Sequence, residues 1–341
     1  MEKLISNSCN FLSVPESYVL PPEIRPGELP APPCTAIPVV DLRRVGGGRK
    51  DLIQQIIWAS EEFGFFQLTG HGVSEELMHR VLTVSKEFFE LPAEEKARFY
   101  SEDPQRSCRL YTSINFSKEK VHFWRDKLQH SCHPLEDHIQ QWPENPASYR
   151  EVVGNYSVEM RRLSLWLLDL IGQGLGLEPG FFRGCGALCR VQKIAVNHYP
   201  RCPDPSLTLG LAKHCDASLI TLLNQGTVAG LQVLKDEQWF TIEPLPNALV
   251  VNIGYMLQII SNGKLKSAEH RVVTNTDTAR TTVASFIDPS YDSHIEPAKG
   301  LLVKESSPQL YKAFTYRDFV SSYVVDVYDG KPPLDRYMLQ S

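Results

Sequence analysis

A chain of 341 residues, 42% hydrophobic and 22% charged, has the make-up of a folded globular protein with room for one large core or two small ones. Its 35 basic and 40 acidic residues leave a net charge of −5 and form no basic run, which argues against nucleic acid as a partner. The longest apolar stretch, residues 163–177, is interrupted by Ser164, Asp169 and Gln173 and is too short and too polar to cross a bilayer, so no membrane role is expected.

Residues 1–22 lack a basic segment followed by an apolar run, and the C-terminal Met-Leu-Gln-Ser matches no targeting tag, so a cytoplasmic location is expected. Residues 1–36, rich in proline and polar groups, read as an extended arm laid on the body. Ile37-Pro-Val-Val-Asp-Leu42 reads as a short strand and Gly46-Gly-Gly-Arg49 as a flexible turn; no phosphate-loop pattern follows it. Leu52, Ile53, Ile56, Ile57 and Phe63 share one helical face, and Gly64 is the stop signal. Residues 65–68 read as a strand and Gly70-His-Gly72 as a turn. Ser74 caps the next helix, with Glu75 and Glu76 in its first turn. Leu77, Met78, Val81, Leu82, Phe88 and Phe89 form its buried stripe, and Pro92 lies just past its end. A long third helix starts near Pro146, with Tyr149, Val152, Val153, Tyr156, Met160, Leu163, Leu167, Leu170 and Ile171 on its apolar side; residues 174–180 end it.

From residue 190 the pattern changes. Short runs at 191–199, 218–223, 230–234, 239–242, 248–253, 271–274 and 281–287 are rich in β-branched and aromatic residues, and Gly and Pro mark the gaps. Many short strands without helices between them predict an antiparallel sandwich or barrel. The eight cysteines (9, 34, 108, 132, 185, 189, 202 and 215) form no CxxC pair and are expected to be free thiols.

The residues that carry chemistry lie in this β-rich part. Side chains two apart on a strand point the same way, so His214 and Asp216 can aim at one ion with Cys215 turned away. Alone, a histidine followed by an acid at this spacing is ordinarily a solvated loop. Its place before His270, at the opening of a later strand, strengthens it. Two neutral imidazoles and one carboxylate suit ferrous iron and leave half its coordination sphere open, whereas structural zinc sites prefer thiolates. His130, Cys132, His133, Asp137 and His138 lack the paired close ligands of such a zinc site. Arg280 and Thr282 share a strand face that continues through Ala284 and Phe286, and an arginine fork matches a carboxylate. Asn197 and Tyr199 share a face of an earlier strand, from which the phenol can reach the same carboxylate. Taken one at a time, Arg280 reads as a surface residue and Tyr199 as core. In this order and spacing they predict an enzyme that activates dioxygen with 2-oxoglutarate.

The chain resembles the plant soluble 2-oxoglutarate- and iron(II)-dependent dioxygenases over about 250 residues. The resemblance rests on Ile37-Pro-Val-Val-Asp-Leu42, Glu62-Phe-Gly-Phe-Phe66 with Gly70-His-Gly-Val73, Phe88-Phe-Glu-Leu-Pro92, Asn197-His-Tyr-Pro-Arg-Cys-Pro203, Gly230-Leu-Gln-Val233, Ala248-Leu-Val-Val-Asn-Ile-Gly254 and Glu269-His-Arg271. Arg109-Leu-Tyr-Thr112, Phe123-Trp-Arg-Asp126 and residues 275–282 look most like the branch holding hyoscyamine 6-hydroxylase and the deoxymugineic acid dioxygenases. It implies a mainly β fold with flanking helices, a distorted double-stranded β-helix or jelly roll of the cupin kind. The implied organisation is an arm at 1–36, a helical region at 37–189, the jelly-roll core at 190–290 and a C-terminal helical segment at 291–341 covering the pocket.

It further implies iron ligands at His214, Asp216 and His270, with 2-oxoglutarate held by Arg280, Thr282 and Tyr199 and with Asn197 nearby. The implied co-substrates are 2-oxoglutarate and dioxygen, with ascorbate as reductant. The implied outcome is hydroxylation, desaturation or demethylation of a small metabolite, with release of succinate and CO2. Tyr111, Phe123 and Tyr323 fall in segments that border the family's pocket, and Phe286 extends the Arg280 face inward; plain core packing is the commoner use of such aromatics. A monomer is expected. The chain departs from the family's pattern at Thr282, where serine is usual, at Tyr255, where aspartate is usual, and at Gly70, where asparagine is usual. An oxidase that uses the same triad without 2-oxoglutarate, and a silent small-molecule-binding relative, are the alternatives.

Overall fold

The computed structural model describes residues 3–7, 11–27, 31–32, 37–43, 48–184, 188–305, 308–328 and 331–339. Along the chain the elements are β1 (Val39–Asp41), α1 (Gly48–Glu62), β2 (Phe65–Thr69), α2 (Glu75–Glu90), α3 (Ala93–Ala97), β3 (Cys108–Thr112), β4 (Asp126–Ser131), α4 (Leu135–His138), α5 (Tyr149–Gly174), α6 (Phe181–Gly184) and β5 (Val191–Tyr199). There follow β6 (Leu211–His214), β7 (Ile220–Asn224), β8 (Leu231–Lys235), β9 (Gln238–Thr241), β10 (Leu249–Ile253), α7 (Tyr255–Ile260), β11 (His270–Val272), β12 (Arg280–Asp288), β13 (His294–Ile295), α8 (Lys299–Glu305), β14 (Phe314–Thr315) and α9 (Tyr316–Tyr328).

An eight-stranded sheet runs β1-β2-β10-β7-β12-β5-β4-β3 and a four-stranded sheet runs β6-β11-β8-β9. Every pairing but β1 with β2 is antiparallel. This is the expected mainly β roll with flanking helices. Strand alternation gives the large sheet two faces. On β12, Val283 and Ile287 join the core formed with the helices, and α2 and α5 pack against that side. The opposite face carries Arg280, Thr282, Ala284 and Phe286. Phe65, Tyr199 and Val250 of the large sheet meet Leu231, Val233 and Val272 of the small one in a separate apolar cluster between the sheets.

The stripe read from sequence for α5 is buried, while those of α1 and α2 are buried in part, with Ile53, Ile57, Phe63, Leu77 and Leu82 half-buried. Every apolar residue named for α5 is at or below 2% exposure, and Ser74 Oγ accepts the Leu77 N–H as the cap of α2. Of the predicted turn at 46–49, Gly46 and Gly47 lie outside the described residues, and Gly48 and Arg49 already belong to α1. Along the arm, Leu4, Ile5, Val14, Tyr18 and Leu20 are buried.

Five strands, β3, β4, β6, β13 and β14, were not legible. The β3–β4 hairpin extends the large sheet from a stretch with no apolar alternation, because Asp126 and His130 take places beside Leu128 on the helix-packed face. β6 is equally polar. Cys108, Cys132, Cys189, Cys202 and Cys215 are buried free thiols, while Cys9, Cys34 and Cys185 lie outside the described residues. Among the described residues no helix is long and apolar enough to cross a membrane.

Candidate active site

His214 is the last residue of β6, His270 the first of β11, and the two are paired in register. This pairing brings together residues 56 positions apart, which sequence order alone does not. Asp216 lies just past the end of β6 rather than on it, so the chain's turn, not strand alternation, aims its carboxylate. His214 Nε2 and His270 Nε2 lie 3.6 and 3.8 Å from the same Asp216 Oδ1. The three ligand atoms fall within 4.8 Å of one another, and no other such group of His, Cys, Asp or Glu occurs among the described residues. In the stretch weighed as a zinc site, the His130 Nε2 instead bonds the Tyr149 hydroxyl.

Each remaining polar atom of the triad has a protein partner. His214 Nδ1 lies 2.9 Å from the Ala212 carbonyl and His270 Nδ1 3.2 Å from the Ala268 carbonyl. A carbonyl can only accept, so each Nδ1 carries its proton and each Nε2 presents a lone pair inward. Asp216 Oδ2 accepts from Thr221 Oγ1 at 2.6 Å and from Asn252 Nδ2 at 2.8 Å, leaving Oδ1 to the triad. Burial works to raise the Asp216 pKa, but the imidazoles of His270 and His214 and these two donors outweigh it, holding the carboxyl below its ordinary value. Burial, with the neighbouring His270 adding to it, pushes the His214 imidazole down to about 3. The site therefore offers two imidazole nitrogens and one carboxylate oxygen, the donor set for a ferrous ion.

Arg280 opens β12 opposite Tyr199, and Thr282 sits opposite Asn197. All four are buried. Arg280 Nε donates to the Val228 carbonyl at 2.9 Å, and its Cζ stands 5.5 Å from the Tyr199 ring centre. Its Nη2 is buried with no partner. A Cβ on Gly230 would come within 3.1 Å of Arg280 Cδ and press the guanidinium out of this path by a few tenths of an ångström. A buried cation with an orphaned donor fits the far carboxylate of a dicarboxylic acid.

With both arrangements described, the comparisons with known proteins decide the family. Residues 190–289 match the model of the 2OG-Fe(II) oxygenase superfamily, and residues 37–145 that of the non-haem dioxygenase in morphine synthesis N-terminal region. Protein DOWNY MILDEW RESISTANCE 6 of Arabidopsis thaliana is 42% identical over 94% of each chain. Hyoscyamine 6-dioxygenase of Hyoscyamus niger is 43% identical over 93% of each chain. The chain belongs to the 2-oxoglutarate/iron(II) oxygenase family. A crystal structure of JOX2 in complex with 2OG, Fe and JA superposes with a TM-score of 0.87 at 32% identity, covering 98% of this chain and 96% of that one. The protein is thus a 2-oxoglutarate-dependent dioxygenase with the double-stranded β-helix of that family, and iron(II) and 2-oxoglutarate are its cofactor and co-substrate.

The four aromatics expected at the pocket divide. Tyr111 on β3 and Phe286 on β12 both face Lys127 of β4, whose Nζ lies 5.7 and 5.8 Å from their rings. Tyr323 donates its hydroxyl proton to the Cys215 carbonyl at 2.8 Å and stacks on Phe319, bracing the loop between His214 and Asp216 from behind. Phe123 is partly buried, and its N–H donates to Ser113 Oγ at 2.7 Å.

Two of the departures have local reasons. Gly70 has φ +62, a left-handed conformation open to glycine and asparagine, and a Cβ there would collide with the Asp41 carboxylate, which favours glycine here. Tyr255 starts α7, donates its N–H to the Asp216 carbonyl at 2.8 Å, and packs edge-on against Phe319 and Tyr323. Sequence reasoning missed Thr221 and Asn252 as partners of Asp216, and Phe65, whose ring meets that of His270 edge-on at 5.2 Å. Asn252 was findable, being a lone amide in the apolar run Leu249–Ile253.

Proposed function

We propose that the protein hydroxylates, or through the same hydrogen abstraction desaturates or demethylates, a small plant specialised metabolite or hormone, consuming 2-oxoglutarate and dioxygen and releasing succinate and CO2. In this reading His214 Nε2, Asp216 Oδ1 and His270 Nε2 hold the iron. Arg280, with Tyr199 and Thr282 and with Asn197 nearby, grips the far carboxylate of 2-oxoglutarate. Tyr111, Phe123, Phe286 and Tyr323 belong to the substrate pocket or its supports. When bound, the iron supplies open positions at which 2-oxoglutarate and dioxygen are activated. The protein's own part is to fix the imidazole tautomers, keep Asp216 ionised and keep Arg280 in a dry slot where its charge is little screened. The proposal extends to a cytoplasmic monomer with ascorbate as reductant and no nucleic-acid partner.

The observation that carries the reading is the convergence of the triad beside a buried arginine with a free donor. That donor favours a dicarboxylic co-substrate over an oxidase that dispenses with 2-oxoglutarate, and stoichiometric succinate release separates the two. His214→Ala or His270→Ala should abolish succinate formation while circular dichroism shows the fold intact; turnover surviving either change would overturn the assignment. Arg280→Ala removes a charge-assisted contact of about 1.5–3 kcal/mol. The 2-oxoglutarate concentration needed for half-maximal rate should therefore rise by about tenfold to a hundredfold, and an unchanged requirement excludes that role.

A further inference from the structure

A second group of cations lies beside the co-substrate slot, and the chemistry above gives it nothing to do. Arg109 and Tyr111 on β3 and Lys127 on β4 share the inner face of the large sheet, and Arg125 immediately precedes β4. Arg109 Cζ stands 4.0 Å over the Tyr111 ring. Arg125 is 5% exposed, gives Nη1 to Asn197 Oδ1 at 3.3 Å and Nη2 to the Ser113 carbonyl at 2.8 Å, and leaves its buried Nε without a partner. The Arg109 Nε is likewise buried and orphaned.

Among the described residues no carboxylate pairs with these cations. The next one on the face, Lys193, is paired with Asp288 at 3.0 Å. Asp126 is turned to the other face, where its two oxygens accept the N–H groups of Ile5 and Ser6. The charges acting on Tyr111 are Lys127, Arg109 and Arg125, and they outweigh its burial to bring the phenol down to about 8. Three close cations without a carboxylate repel one another and give up hydration for nothing unless an anion joins them.

The cluster also lies in the right place. Lys127 is opposite Asn197 in register, and Asn197 is opposite Thr282. Phe286 lies four residues along the same strand face from Thr282 and offers its ring to Lys127. Arg280 already answers the far carboxylate of 2-oxoglutarate, so the anion wanted here is a different one.

We infer that the substrate is a partly apolar monocarboxylic acid, its carboxylate held by Arg109, Arg125 and Lys127 and its body packed against Tyr111 and Phe286. This rests on the dioxygenase reading of the neighbouring site and names the substrate class for it.

The test uses 3-phenylpropanoic, cinnamic and decanoic acids, each beside its methyl ester and primary amide. Turnover is read as succinate release and product mass with iron(II) and 2-oxoglutarate. Binding is read separately by ligand-observed NMR on protein carrying zinc in place of iron. At least one acid should bind and stimulate succinate release at least tenfold better than its ester and amide. Lys127→Gln and Arg109→Gln, each checked for folding by circular dichroism, should cut that acid preference at least tenfold. Succinate release in which esters and amides do as well as acids would leave the dioxygenase standing and defeat the anion site alone. Acids that bind with the expected preference, lost in Lys127→Gln, but drive no succinate release would support the anion site and defeat the dioxygenase reading. Failure of every acid to bind overturns the proposal. So does a Lys127→Gln variant that changes only the 2-oxoglutarate requirement.

Discussion

The two oxygens of Asp216 do different work, and the difference comes from two neighbours rather than from Asp216 itself. Thr221 and Asn252 stand opposite each other on β7 and β10, and both donate to Oδ2. That fixes the carboxylate plane and directs Oδ1 at the imidazoles. Partners of metal ligands typically contribute tenfold to a hundredfold in metal affinity. Asn252→Ala should therefore weaken ferrous-ion binding by about that factor in a metal titration, with the iron ligands untouched; unaltered affinity would show that Thr221 alone orients Asp216. His214, Asp216 and His270 were legible because few residue types hold a metal and their order is informative. Thr221 was not, because threonine has many uses; Asn252 was marked by its apolar neighbours, but only strand pairing reveals that Asp216 is its partner.

Among the elements, β5 and β12 show how far alternation carries. Their nine paired positions put Asn197, Tyr199, Arg280 and Thr282 on one face, as the spacing requires. The β3–β4 hairpin shows where alternation stops, since polar residues on both faces erase the period-two signal. Helices α9 and α7 act on the site from outside it: Tyr323 of α9 holds the Cys215 carbonyl, and Tyr255 of α7 holds the Asp216 carbonyl through its own N–H. Tyr323→Phe removes one hydrogen bond, about 1 kcal/mol. In a chain this long that should lower Tm by about 2 °C, and the loosened loop should also bind iron more weakly. A Tm drop with metal affinity intact would mean that α9 only packs.

For the whole molecule, buried histidines set the behaviour in acid. Burial pushes the pKa of His130, stacked on Trp142 and bonded to Tyr149, down to about 3, and that of His198, stacked on Phe89, to about 3 as well. Unfolded, each takes up a proton near 6.5. Because the folded pKa is the lower one, the stability each contributes is complete above pH 6.5 and is lost as pH falls toward 3, by about 1.4 kcal/mol per pH unit for each histidine. Tm should fall across that window, and His130→Gln should make the fall shallower by about one proton's worth; an unchanged slope would exclude His130 as a source. By itself, the sequence determined the reaction class and singled out the triad and the arginine as candidates, because these rest on residue chemistry and short-range periodicity. Only the tertiary structure decided that His214 pairs with His270, that Thr221 and Asn252 share an oxygen of Asp216, and that Arg109, Arg125 and Lys127 gather with no carboxylate partner among the described residues. Those facts depend on which strands become neighbours, and in a roll closed by antiparallel pairing that is fixed by the packing of both sheets and the helices together.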